Sequence, residues 1–284
     1  MDEDKYPTDS NRRRFVKGVV GGASLIGVGT TAAAAVNTLT ASTGAGGGAV
    51  RFYAVENVDG PAPRGMPMIP VQIEEREGEE VLTGLWPRTY NEDEGVAVQR
   101  EIDGVDLPVP YRSSWFQYCG VQTYPGIDPQ ADQDNTFRYA AESKYTWQNE
   151  QTEQGAPMRV NDFEDYEEWS NENTSSGRGK PASGTWRSEG ISDGIIPVEV
   201  IRSPIIERMA KSGEAPWITA ATERGFMAHL NKCSHFCCVP GFATSNYEGA
   251  VSATGNIYCQ CHQSIYDPFS IVQKSYVALP RPTE

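Results

Sequence analysis

Every one of the three histidines and five of the six cysteines in this 284-residue chain fall between His229 and His262. They form two segments, Cys233-Ser-His235-Phe-Cys237-Cys238-Val-Pro-Gly-Phe242 and Tyr258-Cys259-Gln-Cys261-His262-Gln-Ser264-Ile-Tyr266-Asp267-Pro268. Thiolate and imidazole together are transition-metal donors, so the spacing reads first as a metal centre. A structural zinc site of the finger type keeps its cysteines in one arm and its histidines in the other. Here each segment offers one Cys and one His, as Cys-x-His and Cys-x-x-His. That symmetry suits a two-iron cluster in which one iron takes both thiolates and the other both imidazoles. Each segment also has a second cysteine, Cys238 or Cys261, at a position able to tie the two loops together.

The two segments resemble the boxes of Rieske iron–sulfur proteins, Cys-x-His-x-x-Cys and Cys-x-Cys-His-x-Ser-x-Tyr. The resemblance covers about the last sixty residues. It implies one 2Fe-2S cluster, with Cys233 and Cys259 on the buried iron and His235 and His262 on the outer, solvent-facing iron. It also implies a disulfide between Cys238 and Cys261, a hydrogen bond from Ser264 to a bridging sulfide, and one from Tyr266 to a cluster cysteine sulfur. More weakly, Ile195 to Ile201 and Gly225 to Leu230 resemble the base strands that lead into the first box. Leu279-Pro280-Arg281-Pro282 resembles the proline loop that covers the cluster.

Exchanging two thiolates for neutral imidazoles makes such a cluster less negative, so it accepts an electron more readily. Hydroxyl donors at Ser264 and Tyr266 would raise the potential further by stabilising charge on sulfur. A ligand histidine can also lose a proton from its second ring nitrogen when oxidised and regain it on reduction, which couples electron to proton. The disulfide pair and the Ser/Tyr donors point to the high-potential, quinol-oxidising branch of the family.

Two positions depart from the family pattern. Cys237 and Gln263 stand where glycine is usual, which predicts altered backbone geometry in both loops. The spacer from Phe236 to Tyr258 is long, with Tyr247 to Gly255 expected as a surface hairpin. Cys119 and Cys237 remain unassigned: in an exported protein such a pair either forms a disulfide, which would pin the central segment beside the cluster, or stands as two buried free cysteines. His229 is expected to be a strand residue, since the four ligand positions are already filled.

The elements that must position these residues are short strands. Arg51 to Val55, Met68 to Ile73, Ile195 to Ile201 and Gly225 to Leu230 carry β-branched or aromatic residues between turn formers. Pro70 and Pro197 demote their strands to edges or strand starts. Pro204 to Ser212 reads as a helix with Ile205, Ile206 and Met209 on one face. Residues 86–186 are polar and acidic yet dotted with aromatics, and are expected to form a structured insertion or accessory lobe. Within them Asn173-Thr174-Ser175 is a glycosylation sequon expected at an exposed site. The fold class expected is all-β: an antiparallel Rieske-type base over 51–85 and 187–284, a cluster-binding subdomain over about 231–270, the insertion at 86–186, and an N-terminal helix.

Residues 1–50 read as a targeting segment and linker. Asn11-Arg12-Arg13-Arg14-Phe15-Val16-Lys17 resembles the twin-arginine export motif, and no charged residue follows until Arg51. The weakly apolar run Gly18 to Val36 fits a retained anchor, and Ala33-Ala34-Ala35 fits a cleaved signal. Acidic residues outnumber basic ones 38 to 24, giving a net charge of −14, which excludes a phosphate-binding face for nucleic acid. With 7 Lys against 17 Arg, that acidity suggests a protein kept soluble in concentrated salt, of haloarchaeal type.

Together these readings predict the Rieske subunit of a cytochrome bc-type complex, with its head on the extracytoplasmic side of the cell membrane. Its expected partners are a cytochrome b-type membrane subunit, quinol bound through His235 and His262, and a cytochrome c or blue copper acceptor. The alternative is the Rieske subunit of arsenite oxidase or of a nitrate-reduction electron-transfer module.

Overall fold

The computed structural model describes residues 48–91, 96–116, 134–190, 195–244 and 255–278. The targeting segment, Cys119, the Tyr247 to Gly255 hairpin except its last residue, and Leu279 to Pro282 lie outside them. The described chain is mostly β, with every strand pairing antiparallel. Fourteen strands are distributed over three sheets.

The largest sheet contains β1 (Gly48–Asp59), β2 (Met66–Ile69), β8 (Arg138–Tyr139), β9 (Lys180–Trp186), β10 (Ile196–Arg202), β11 (Phe226–Leu230), β12 (Gly241–Phe242), β13 (Ile257–Cys259) and β14 (Ser264–Ala278). Its spatial order is β12-β13-β14-β1-β2-β11-β10-β9-β8. One hairpin joins β3 (Val71–Arg76) to β4 (Glu79–Gly84), and a three-stranded sheet joins β5 (Thr89–Asn91), β6 (Val96–Ile102) and β7 (Val105–Arg112). The turns Glu77-Gly78 and Asp103-Gly104 place both central residues at positive φ, which matches the twist of the flanking strands.

Pro70 separates β2 from β3, as a residue without an N–H should. Pro197 is different: β10 is paired on both sides, with β9 and with β11, so it is no edge. The proline is accommodated as the second residue of the strand, where its carbonyl still accepts the Asn231 N–H at 2.8 Å. Helix α1 (Thr146–Gln151) is short, and α2 (Pro204–Ser212) has the expected bounds. Ser203 caps α2 by accepting the Ile205 N–H, Pro204 opens its first turn, and Gly213 closes it at φ 67°. Ile206 is fully buried and Met209 packs at the core margin. A third helix, α3 (Pro216–Ala221), buries Trp217 and Ile218. Among the described residues no helix is long and apolar enough to cross a membrane.

One hydrophobic core runs through all of this, and residues 86–186 contribute to it heavily. β8 and β9 extend the main sheet, and Trp86, Tyr111, Trp115, Phe116, Phe137 and Trp186 are buried in the core. Trp186 lies 5.6 Å from Trp86 and 5.7 Å from Phe116, while Trp115 lies 5.1 Å from Trp217 on α3. The first two contacts bind the acidic segment to itself, and the Trp115–Trp217 contact ties it to the base. The sequon does not stand out to solvent: Asn173 is 6% exposed and its carbonyl accepts the Gly255 N–H. A bridge between Asn171 and Thr174 folds this stretch inward, an arrangement set by tertiary contact and invisible to a three-residue motif.

His229 is a fully buried strand residue on β11 whose Nδ1 bonds the Leu230 carbonyl. Burial holds its pKa down to about 4, so the neutral ring is the folded form. Its contribution to stability is therefore complete above the ordinary histidine value and is lost as pH falls from 6.5 towards 4. Replacing His229 by Met is expected to flatten that acid limb in denaturant melts, removing a pH dependence of roughly 3 kcal/mol. Trp186→Ala is expected to cost about 3–5 kcal/mol and to lower one shared unfolding transition, followed by near- and far-ultraviolet dichroism. Separate transitions for the central segment and the base would contradict the single core.

Candidate metal centre

The two Cys/His segments are brought together at one end of the large sheet. β11 delivers the chain to Cys233, and the first loop returns through β12. β13 ends on Cys259, and a tight turn leads straight into β14 with Cys259 opposite Ser264. The loops repeat each other's geometry. Cys237 N–H donates to the Cys233 carbonyl at 2.9 Å, and Gln263 N–H donates to the Cys259 carbonyl at 2.9 Å. Cys237 has φ 62° and Gln263 φ 61°, so both adopt the left-handed conformation for which glycine is the usual choice. Two residues with side chains thus hold a strained left-handed backbone at equivalent places in the two loops.

Cys238 and Cys261 form a disulfide that clamps one loop to the other. Cys237 is also disulfide-bonded, and Cys119, the partner expected for it, lies outside the described residues. Cys233 and Cys259 are free thiols, each 1% exposed. The sulfurs of Cys238, Cys259 and Cys261 lie within 4.8 Å of one another, but two of the three are spent in the disulfide. Beyond that trio, no described His or Cys joins a group of three donors within that distance. A single tetrahedral ion with Cys233, Cys259, His235 and His262 would need such convergence. The donors instead form two pairs. The thiols touch each other through a hydrogen bond, and the imidazoles of His235 and His262 stand edge to face, 4.6 Å between centroids.

The thiol pair behaves as a unit. A hydrogen bond from Cys259 draws Cys233 down to about 5, helped by Tyr266 and by the His235 backbone N–H. The same Cys259–Cys233 contact, with burial, pushes Cys259 well up. One thiolate and one thiol thus share a proton in a pocket closed to water. Tyr266, fully buried, donates its hydroxyl to Cys233 Sγ at 3.1 Å and accepts the Ser234 N–H at 3.1 Å. Backbone N–H groups of Cys261 and His262 are directed at the Cys259 sulfur. His235 Nδ1 is buried without a hydrogen-bond partner, and Ser264 Oγ, equally buried, has no oxygen or nitrogen partner and is directed only at the Cys233 sulfur. Such orphaned polar atoms are costly unless a bound group completes them. Both lie beside the donor pairs, so the residues present fit a two-metal, sulfide-bridged group with thiolates at one end and imidazoles at the other.

A third loop, overlooked in the sequence, closes over the other two. In Gly60-Pro61-Ala62-Pro63-Arg64-Gly65, Gly60 has φ 86°, and a Cβ there would stand 2.6 Å from the Gln263 carbonyl oxygen. The Arg64 N–H donates to Ser234 Oγ at 3.2 Å, and Ser234 Oγ donates back to the Arg64 carbonyl. The Arg64 guanidinium lies 4.1 Å over the Tyr276 ring. Two prolines bracketed by glycines between strands mark a stiff, close-packed loop, and that was the signal available for finding it. At the outer end the exposed His262 lies 5.0 Å, ring to ring, from Phe236, which is 66% exposed, and Val239 in the same loop as Phe236 is 47% exposed.

Compared with known proteins, the chain matches no family model, no curated protein and no solved structure.

In metal-free protein, Tyr266→Phe removes one donor from Cys233 and is expected to raise that thiol's pKa. The thiolate's ultraviolet absorbance, followed through a pH titration, should appear at higher pH in the variant. An unmoved titration would mean that the phenol does not stabilise the thiolate.

Proposed function

We propose that the chain is a Rieske-type electron-transfer protein holding one 2Fe-2S cluster, and that it works as the redox subunit of a quinol-oxidising cytochrome bc-type complex. The observation that supports this most is the separation of four donors into a buried, hydrogen-bonded thiol pair and an outer imidazole pair. A bound cluster of this kind supplies reversible one-electron acceptance at a potential raised by its neutral imidazole ligands.

The chain's own residues supply the rest. Cys233 and Cys259 hold the inner end away from water, which preserves the charge assistance of the donors around them. Tyr266, Ser264 and the N–H groups of His235, Cys261 and His262 direct hydrogen toward sulfur. His235 and His262 hold the outer end and keep a second ring nitrogen at which a proton is held or released. The exposed Phe236 and Val239 give the tip an apolar surface on which a cytochrome b-type subunit and a quinol can dock around His262. Delivery by twin-arginine export, N-terminal membrane attachment, and onward transfer to a cytochrome c or blue copper protein complete the proposal.

The purified full-length protein is expected to contain two iron and two labile sulfide per chain. When reduced, it should give the electron paramagnetic resonance spectrum of a mixed Cys/His cluster, with a low average g value. Its potential should fall as pH rises through the alkaline range, and Cys233→Ser or Cys259→Ser should abolish iron retention. A zinc-loaded protein, or a spectrum of an all-thiolate cluster, would overturn the reading. Co-purification with a cytochrome b subunit supports the quinol-oxidising assignment, whereas co-purification with a molybdenum subunit redirects it.

A further inference from the structure

Behind the thiol pair lies a buried carboxyl that the proposed electron transfer does not use. Glu199, on the central strand β10, has 0% exposure. Its Oε1 accepts the Tyr145 hydroxyl and, at 3.4 Å, the Phe242 N–H; Oε2 accepts Asn231 Nδ2–H at 2.9 Å. The Phe242 N–H also donates to the Tyr145 hydroxyl oxygen at 2.9 Å. Asn231 Nδ2–H reaches the Pro240 carbonyl as well, at 3.2 Å, while its Oδ1 is buried without a partner. Among the described residues no cation forms an ion pair with Glu199, and none of these contacts is a candidate metal ligand.

The groups facing it from each side are few. From the segment before α1 come Tyr145, held protonated by burial, and Lys144, whose ammonium donates to the Val239 carbonyl at 2.6 Å. On β11 the cross-strand partner is His229, neutral in the fold, and on β9 it is Ser183. An anion this deep, with hydrogen bonds but no ion pair, is costly, and a proton relieves that cost. Burial accordingly lifts the carboxyl to about 8, well above its ordinary value.

Position makes this proton more than a packing detail. Asn231 is two residues before Cys233, and Pro240 and Phe242 close the first loop. Phe242 pairs with Ile257, two residues before Cys259. Lys144 feels the charge of both Glu199 and Cys259, so the carboxyl and the thiol pair share one electrostatic neighbourhood.

We infer that Glu199 is a proton-binding tuning residue: at alkaline pH, where it is ionised in the oxidised protein, it takes up a proton as the metal centre behind Cys233 and Cys259 takes up one electron. The inference rests on the proposed function. The balance is one electron from the donor against one proton on the Glu199 carboxylate, with no bond formed elsewhere and no net change in buried charge. Linkage makes the effect reciprocal, so protonated Glu199 favours the reduced centre and ionised Glu199 the oxidised one.

The test uses full-length protein and two readouts. In metal-free protein, infrared difference spectra are expected to show a protonated carboxyl C=O band that disappears as pH rises through about 8, absent in E199Q. Absence of that band from the wild type overturns the inference. In cluster-loaded protein, the potential of the wild type should fall across the same pH window, and E199Q should lose that fall while keeping the more alkaline one. A loaded E199Q protein with the wild-type pH profile overturns the inference and leaves the proposed function standing. A chain that holds no iron–sulfur cluster sinks both, yet the infrared band still reports whether Glu199 holds a proton. If E199Q fails to fold, K144M replaces it: loss of the Lys144 ammonium should move both the band and the potential step to higher pH, and an unmoved step counts against the coupling.

Discussion

Two sulfurs in hydrogen-bond contact, each almost wholly withdrawn from solvent, set the terms for this molecule. A buried thiol pair holds negative charge only if donors surround it and its loops cannot drift apart. Most of what is unusual in the C-terminal lobe follows from that requirement. Tyr266 and the backbone N–H groups of His235, Cys261 and His262 point at the sulfurs, and two left-handed residues close the turns that carry them. The lobe is too small to do this with packing alone. Beyond the main core its own apolar contact is the single cross-strand pair Tyr258 and Ile265, so a disulfide and the Gly60–Gly65 loop supply the constraint.

The acidic segment before β9 belongs to the same design. Its aromatic residues fill one side of the core, and its Lys144 and Tyr145 reach the floor of the first loop. The segment therefore has two faces of different chemistry: an apolar face that makes the sheet rigid, and a polar edge that meets Glu199. A buried carboxylate at that junction would be a defect if it were only structural, because an apolar side chain of similar volume is usually at least as stable. Its retention makes sense where a movable charge is useful.

The chain's charge of −14 acts at longer range. In concentrated salt the screening length drops to about 3 Å, so a charge of this size would act as a solubilising coat and would steer no partner from a distance. Under the proposed function recognition would then rest on contact at the tip, where the exposed Phe236 lies beside His262.

Much of the site was legible in the chain because its chemistry is local. Cys-x-His and Cys-x-x-His place a thiol and an imidazole in each short loop whatever surrounds them, and the β-branched runs and the helix at Pro204–Ser212 follow from periodicity and capping. The disulfide between Cys238 and Cys261 was implied only by resemblance, and is formed. Other features were out of reach because they depend on residues far apart in sequence. Glu199 and Tyr145 are 54 positions apart and meet only when β10 is covered by the central segment. Arg64 and Ser234 are 170 apart and meet only when the first hairpin folds over the loops. The sequon was misread for the same reason, since burial of Asn173 is decided by its neighbours in space. By itself the sequence determined which donors exist and how they are spaced; only the tertiary structure decided which of them are buried, paired or left without a partner, because burial and long-range contact are properties of the whole packed chain.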